Sequence, residues 1–166
     1  MEMKRIEVVK GYNIKSWRED LKRIIIDAIK EDKPMCFLFV DTQIIDEMMV
    51  EDINSLLNSG MVIGLPFNQE DEELLDDIGR KICEKARKPA NKTNIYQAQI
   101  DRIKKNTHIC FCMSPLGDKF FARLRMFPAF INCCTIDWFT EWPEEALLRV
   151  GMKEIEEEAT DYKIEK

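Results

Sequence analysis

The sequence predicts an α/β protein built around a parallel sheet. Three runs of apolar residues, 35–40, 108–113 and 131–139, have the length and composition of buried strands. Segments with apolar residues at helical spacing separate these runs, and this alternation favours parallel pairing. The 166 residues contain no repeat or low-complexity segment and suffice for one domain with a hydrophobic core.

The first part of the chain is expected to contain two strands and two helices. Residues 4–9 predict an edge strand, and a capping box at 16–19 begins a helix. The inward face of that helix holds Trp17, Leu21, Ile24, Ile25 and Ala28. Residues 35–40 predict a strand buried on both faces. A helix over 46–58 follows, with Gly60 as its C-terminal glycine.

The rest of the chain is expected to continue the alternation. Residues 61–67 predict an apolar loop, and residues 70–87 predict an amphipathic helix. The next helix, 95–104, should align Tyr96, Ile100 and Ile103. Buried strands at 108–113 and 131–139 should flank a helix that carries two arginines. Pro143 begins a final helix, and residues 151–166 form an acidic helix or tail beyond the main domain, 1–150.

The charge balance excludes some classes of partner. The net charge is −6 and the isoelectric point is near 5.0, which argues against non-specific binding to nucleic acid or to an anionic membrane. No apolar run approaches the roughly 20 residues that span a bilayer. Charged residues within positions 1–12 leave no signal-peptide core. We therefore expect neither a nucleic acid nor a membrane as a partner.

The six cysteines are interpreted as buried, reduced thiols. Cys36, Cys110, Cys112 and Cys133 lie in the apolar runs. A zinc site is the alternative, and it requires CxxC-type or Cys/His spacing. Cys-x-Cys and Cys-Cys pairs in strands are expected to point to opposite faces, which suits a single metal ion poorly. Buried thiols are therefore favoured over zinc.

Two polar residues follow predicted strands and are candidates for chemistry. Asp41 follows the run 35–40, where a carboxylate could hold Mg²⁺ through water or orient an attacking water. The alternative is an N-capping aspartate in a strand-to-helix turn. Ser114 follows the run 108–113, where it could hydrogen-bond a γ-phosphate or its water. A turn serine before Pro115 is the alternative.

The basic residues and the histidine give weaker signals. Arg123 and Arg125 do not share a helix face, so at most one is expected to meet a given phosphate. His108, the only histidine, has no nearby motif of a catalytic triad and is interpreted as structural. The chain contains no G-x-x-x-x-G-K-[ST] motif. This chain alone is therefore not expected to bind ATP tightly.

Three segments resemble dynein heavy chains, especially the fourth AAA+ module of the axonemal motor ring. They are FLFVDTQI (37–44), EDINSLLNSG (51–60) and the long block MSPLGDKFFARLRMFPAFINCCTIDWFTEWPEEAL (113–147). The resemblance covers residues 4–150. It implies an AAA+ fold of the P-loop NTPase type, with a three-layer αβα core that is incomplete in this chain. The first strand and the Walker A loop would precede Met1, and the lid and stalk would follow Lys166.

The resemblance also implies residue roles. Asp41 stands at the Walker B position, and Val40 stands where the metal-coordinating aspartate would be, which casts doubt on hydrolysis. Ser114 lies near the sensor-one position. Arg123 and Arg125 lie near the helix that faces the neighbouring module, although cytoplasmic relatives carry their finger arginine about where Cys133 sits.

The implied sheet order is five-one-four-three-two, and this chain would supply strands two to five. We therefore expect a three-stranded parallel core, with a final strand at 132–138 beside 108–113 or apart from it.

The expected function is that of a fragment of a dynein motor. The parent would use ATP and Mg²⁺ for microtubule-based movement in the cytoplasm, cytoskeleton and ciliary axoneme. Its partners would be the remaining motor ring, the dynein subunits and, through the parent, microtubules. A stand-alone interaction protein, which could self-associate through an exposed sheet edge, is the second hypothesis. An independent small NTPase is the third, and the absent phosphate loop argues against it.

Overall fold

The computed structural model describes residues 1–161, with side chains through 157. Helical segments separate the strands, as the sequence predicts, although three helices lie between the second and third strands. In chain order they are β1 (Glu2–Arg5), α1 (Ile14–Glu31), β2 (Met35–Val40), α2 (Glu47–Ser59), α3 (Gln69–Lys85), α4 (Lys92–Asn106), β3 (Thr107–Cys112), α5 (Asp118–Met126), α6 (Ala129–Asn132) and α7 (Glu144–Asp161). A single 3₁₀ turn, Asp41–Gln43, joins β2 to the segment before α2.

The three strands form one parallel sheet in the order β1-β2-β3. Glu2 lies opposite Met35, and Met35 lies opposite Thr107 in the next strand. The α/β class and the three-stranded parallel core are therefore confirmed. The first strand begins two residues earlier than predicted and ends at Arg5, although Ile6 is still buried.

The predicted last strand, 131–139, is wrong. Pro128 has φ −65° and ψ −16°, which is helical backbone, and the short helix α6 begins directly after it. Ala129 and Phe130 are buried, whereas Ile131 is 55% exposed. The apolar residues therefore enter the core from a helical turn. Beyond Asn132 the chain forms no regular element until Glu144.

The helix α1 covers one face of the sheet and contributes most to the core. Its inward residues are buried as predicted: Trp17, Leu21, Ile24, Ile25 and Ala28. The predicted capping box at 16–19 is wrong, because the helix begins earlier. The side chain of Asn13 accepts the amides of Lys15 and Ser16 at 2.9 and 3.2 Å and is the N-cap. Asparagine serves this purpose as well as serine.

The helix α2 agrees closely with its sequence signals. Asp46 caps its N-terminus by accepting the amide of Met48 at 2.8 Å. Gly60 ends it with φ 77°, a left-handed conformation that glycine adopts without a Cβ penalty. Met49, Ile53 and Leu56 are buried. The loop that follows, 61–67, is irregular and apolar, as predicted.

The helices α3 and α4 form an antiparallel pair that packs on α1. The inward face of α4 differs from the predicted one, because Tyr96 is 50% exposed. Ile103 is buried as predicted, and Ile95 and Gln99 are buried where Tyr96 was expected. The Gln99 amide donates to the carbonyl oxygen of Leu75 at 2.9 Å and links the two helices. Because Gln99 is polar, a search for apolar residues at helical spacing does not identify this face.

The close approach of α3 and α4 depends on Gly79. A Cβ at this position would lie 2.6 Å from Cγ2 of Ile95, a distance that real Cβ atoms do not tolerate. We expect Gly79→Ala to lower the free energy of unfolding by about 1 kcal/mol, because overpacking outweighs the gain in helix propensity. Urea unfolding followed by circular dichroism measures this change.

A matched control for Gly79 is Gly151, which lies in α7 with nothing within 4 Å of its added Cβ. Gly151→Ala is expected to raise helicity, since it gains propensity without a clash. Equal and favourable effects of the two substitutions would contradict tight packing at Gly79.

The strand β3 is half-exposed, which corrects the prediction that it is buried. Its residues alternate between intermediate and exposed, whereas those of β2 alternate between buried and intermediate. Cys110 and Cys112 are exposed, so the interpretation of them as buried thiols is wrong. Residues two apart in a strand share a face, so the expectation of opposite faces for this pair is also wrong. Cys133 is exposed as well, and Cys36 is half-buried.

The chain divides into two compact units after Cys134. The second unit contains α7, which continues through residue 150 without a break. Whether residues 1–150 form a partial AAA+ domain stays a prediction. The last five residues of the predicted acidic tail, 162–166, lie outside the described residues. Among residues 1–161, no helix is long and apolar enough to span a bilayer.

Candidate functional site

The two candidate residues at the carboxyl edge of the sheet lie in direct contact. The backbone amide of Ser114 donates a hydrogen bond of 2.9 Å to Oδ2 of Asp41. The two residues follow adjacent parallel strands, β2 and β3, whose carboxyl ends meet at one edge. Open α/β sheets bind ligands at such edges. The structure therefore brings together the two residues that the sequence singled out, with the Asp41 carboxylate against the backbone of Ser114.

The serine side chain also has a local structural role. The amide of Leu116 donates to Oγ of Ser114 at 3.3 Å, which is the geometry of a serine turn. Ser114 therefore forms the predicted serine turn and also contacts Asp41. The hydroxyl can still donate its own hydrogen, and Oδ1 of Asp41 can still accept one. This pair can orient a water molecule or a phosphate oxygen.

Gln43 fixes the end of β2 next to this pair. The Val40 amide donates to Oε1 of Gln43 at 2.9 Å. The side-chain amide of Gln43 donates to the carbonyl oxygen of Ile6 at 2.6 Å. One side chain thus holds the carboxyl ends of two neighbouring strands. Gln43 was not among the residues predicted from the sequence, although a glutamine two residues after an aspartate that follows a strand is a recognisable signal.

A thiol lies beside the carboxylate. Partial withdrawal of the Cys112 thiol from water is the main cause that raises its pKa, and its neighbour Cys110 and the carboxylate of Asp41 raise it further. The Cys112 thiol therefore remains protonated at neutral pH and is a poor nucleophile. This position does not favour covalent catalysis.

The first arginine is engaged in an ion pair. Nη2 of Arg123 lies 2.6 Å from Oε1 of Glu47, and its Nε lies 3.1 Å from both carboxylate oxygens. The Arg123 side chain is only 11% exposed, so α5 is fixed against the first turn of α2. Arg125 is exposed and makes no ion pair within the described part of the chain. Arg125 is therefore more available than Arg123 to contact a group outside this chain.

The other candidates stay separate from this edge. His108 lies on the exposed side of β3, opposite Cys36. The Cys133 thiol lies 3.7 Å from Oδ1 of Asn58. Among residues 1–161, no group of three or more histidine, cysteine or acidic side chains is arranged to hold a metal ion.

The hydrogen bond between Asp41 and Ser114 gives a direct test of the site. We expect Asp41→Ala to speed hydrogen exchange of the Ser114 amide about fivefold, which corresponds to about 1 kcal/mol for one lost hydrogen bond. Asp41→Asn retains an acceptor oxygen and should have a smaller effect. Amide exchange followed by NMR measures both. Equal exchange in wild type and Asp41→Ala would show that the bond does not persist in solution.

The chain is similar to known proteins over most of its length. A family described as the P-loop containing dynein motor region D4 matches residues 1–166. Dynein axonemal heavy chain 6 of Homo sapiens is 46% identical over 147 residues, which is 89% of this chain. Dynein axonemal heavy chain 1 of Rattus norvegicus is 43% identical over 153 residues, or 92% of this chain. The Chlamydomonas reinhardtii protein named dynein-1-beta heavy chain, flagellar inner arm I1 complex, is 41% identical over 150 residues, or 90% of this chain.

The matched region is a small part of each relative. The chain spans 3–4% of the length of these heavy chains. The similarity covers both the strands that carry the Asp41–Ser114 pair and the helix that carries the arginines.

Proposed function

The chain belongs to the dynein heavy chain family, and on that premise we propose that it forms part of the fourth AAA+ module of an axonemal motor ring. In that setting Asp41 and Ser114 lie on the Walker B and sensor-one side of a nucleotide pocket. The hydrogen bond of 2.9 Å from the backbone amide of Ser114 to Oδ2 of Asp41 carries the proposal, because it holds the two residues together at the ligand-binding edge of the sheet.

The cofactor of the parent motor would be ATP with Mg²⁺. The carboxylate of Asp41 and the hydroxyl of Ser114 fit a magnesium-bound water or an attacking water. No residues of this chain form the phosphate loop that such a site needs. Val40 at the metal-coordinating position further disfavours hydrolysis. We infer that this chain alone is catalytically silent and contributes one side of the pocket.

The two arginines would have different roles in the ring. Arg123 is held by Glu47 and would set the orientation of α5. Arg125 is exposed and is the better candidate to reach the nucleotide of a neighbouring module. An arginine that reaches across an interface can stabilise the charge on a phosphate.

The partners and location follow from the same proposal. The chain would contact the remaining motor ring and the dynein complex subunits, and it would meet microtubules only through the parent motor. Its site of action would be the cytoplasm and the axonemal cytoskeleton of the cilium. The parent would couple its nucleotide state to microtubule affinity through rigid-body shifts between modules.

A chimera tests the proposal directly. Residues 1–150 would replace the matching segment of the Chlamydomonas dynein-1-beta heavy chain. We expect the chimeric heavy chain to assemble into axonemes, since residues 1–150 would supply the core of the module and its contacts with the rest of the ring. In that chimera Arg125→Ala should slow microtubule gliding more than Lys10→Ala, an exposed control outside the site. Failure of the chimera to assemble, with the separate chain well folded, would refute the assignment.

The isolated 166-residue chain provides a second test. Its ATPase rate is expected to equal that of the Asp41→Asn variant. A rate clearly above this control would show that the chain has its own complete active site and would favour an independent NTPase.

One observation favours a second candidate function, that of an interaction protein. Among residues 1–161, no strand pairs with the outer side of the edge strand β3, and β3 contains no charged residue and no proline. Such edges pair readily with other strands. We propose that two copies associate through β3. Sedimentation should show a concentration-dependent dimer that Cys110→Lys abolishes, and a monomer at all concentrations would exclude this function.

A further inference from the structure

A long groove with an apolar floor lies between α3 and α4, beside the C-terminal end of α1. Its volume is about 650 Å³. Leu74, Ile78, Ile82 and Ala98 line the floor. Leu74 is 38% exposed, and the other three are half-buried. The lining residues on α3 and α4 extend over about 17 Å, or three helical turns. We call this feature the basic groove, because of the side chains around it.

The walls of the groove are strongly cationic, whereas the chain as a whole has a net charge of −6. Six basic residues line it against two acidic ones, Asp32 and Asp101: Lys30, Lys81, Lys85, Lys88, Arg102 and Lys105. Positive charge is therefore concentrated at this groove, although the chain as a whole is negatively charged. Such a field attracts a ligand of opposite charge.

Only part of this positive charge is neutralised within the chain. Arg102 and Lys105 lie 2.7 and 3.5 Å from the carboxylate of Asp32. Arg102 is the main cause that holds the pKa of Asp32 well below its usual range, so this acid stays ionised. Within the described residues, Lys30, Lys81, Lys85 and Lys88 have no carboxylate partner. Four cations thus remain available to a ligand.

We propose that the basic groove binds an acidic amphipathic helix of a partner protein. The apolar floor would receive residues at i, i+3, i+4 and i+7 of that helix, which is the usual pattern of a helix in a groove. Its acidic residues would meet Lys81 and Lys85 on α3 and Lys30 at the C-terminal end of α1. The length of the groove matches a helix of about 11 residues.

The distribution of charge favours a helix over a single anionic headgroup. The unpaired cations lie on separate elements around the groove, with Lys81 and Lys85 one turn apart on α3, Lys88 just beyond it and Lys30 at the end of α1. A fatty acid carries one carboxylate and would leave most of these cations unpaired. A helix with carboxylates on both sides of an apolar stripe can pair with several at once. The length of the groove and the distribution of its cations therefore favour a peptide ligand.

Fluorescence anisotropy with a labelled peptide tests the proposal on the 166-residue chain. The probe is a peptide of about 12 residues with leucine at the four groove positions and glutamate elsewhere, and its control is a scrambled peptide of the same composition. We expect binding of the patterned peptide that weakens as salt rises from about 50 to about 300 mM. The scrambled peptide should bind more weakly.

Charge-reversal variants locate the binding. The double variant Lys81→Glu, Lys85→Glu changes exposed residues and should weaken the peptide about tenfold or more, since each reversal replaces attraction by repulsion. Leu74→Ala should weaken it as well. The matched double variant Lys10→Glu, Lys15→Glu has the same charge change away from the groove and should bind within about twofold of wild type.

Other outcomes would overturn the proposal. Equal losses in the two double variants would show attraction to the overall charge instead of the groove. No binding of the patterned peptide, or equal binding of the scrambled one, would exclude a helix as the ligand. Binding of decanoate that depends on Lys81 and Lys85, without binding of the peptide, would assign the groove to a small anionic amphiphile.

Discussion

Replacing Phe39 by alanine is expected to lower the free energy of unfolding by about 4 kcal/mol, the range of large-to-small changes at fully buried aromatics. Phe39 has no exposed surface. Its ring lies 5.0 Å from that of Trp17, 6.0 Å from that of Phe37 and 5.3 Å from that of Phe111. It thus joins α1 to two strands, and its removal leaves a cavity among large aromatic side chains.

Urea unfolding at 25 °C measures the effect as a lower midpoint with an unchanged slope. Phe121 provides the control, because it is an aromatic residue of the same chain that is 50% exposed. Phe121→Ala should change the free energy of unfolding by less than about 1 kcal/mol. Similar losses at the two positions would contradict the assignment of Phe39 to the centre of the core.

Removing the carboxylate of Asp52 is expected to be the second most damaging change, at about 3 kcal/mol. Asp52 is 5% exposed and lies at the contact of α1 and α2. Its Oδ2 accepts the indole N–H of Trp17 at 3.0 Å and Nε of Arg18 at 3.2 Å, and Oδ1 accepts Nη2 of Arg18 at 3.3 Å. Asp52→Ala leaves a buried N–H without a partner and a cation without its counter-charge.

Two further variants separate these contributions. Asp52→Asn keeps an acceptor for the Trp17 N–H but loses the charge, and it should cost less than Asp52→Ala. Glu51→Ala changes a neighbouring exposed acid of the same helix and should lie within about 0.5 kcal/mol of wild type. Thermal and urea unfolding measure all three. An Asp52→Ala variant as stable as Glu51→Ala would show that this contact contributes nothing to stability.

The local signals in the sequence were reliable where one residue type decides the geometry. Gly60 ends α2 because a left-handed residue is needed there. The apolar run 35–40 is β2 with the predicted bounds. The same reasoning failed for 131–139, because apolar residues alone do not distinguish a strand from a buried helical turn. Pro128 carried the missing information.

The candidate site was predictable in its location and not in its contacts. Two polar residues after adjacent parallel strands must lie near each other, so Asp41 and Ser114 could be paired from the sequence. The sequence did not indicate that the partner group of Asp41 is the backbone amide of Ser114. Nor did it indicate that Glu47 would form an ion pair with Arg123. These contacts join residues more than 70 positions apart and depend on packing.

The sequence by itself determined the α/β class, the parallel core and the family, because periodicity and motif are local properties that each segment carries. Only the tertiary structure decided that Asp52 is a buried link between α1 and α2, that Gly79 allows α3 and α4 to approach, and that β3 exposes Cys110 and Cys112. The physical reason is that burial belongs to a position in the fold. Whether a side chain is buried depends on the residues that pack against it. The sequence pattern does not show which distant residues these are.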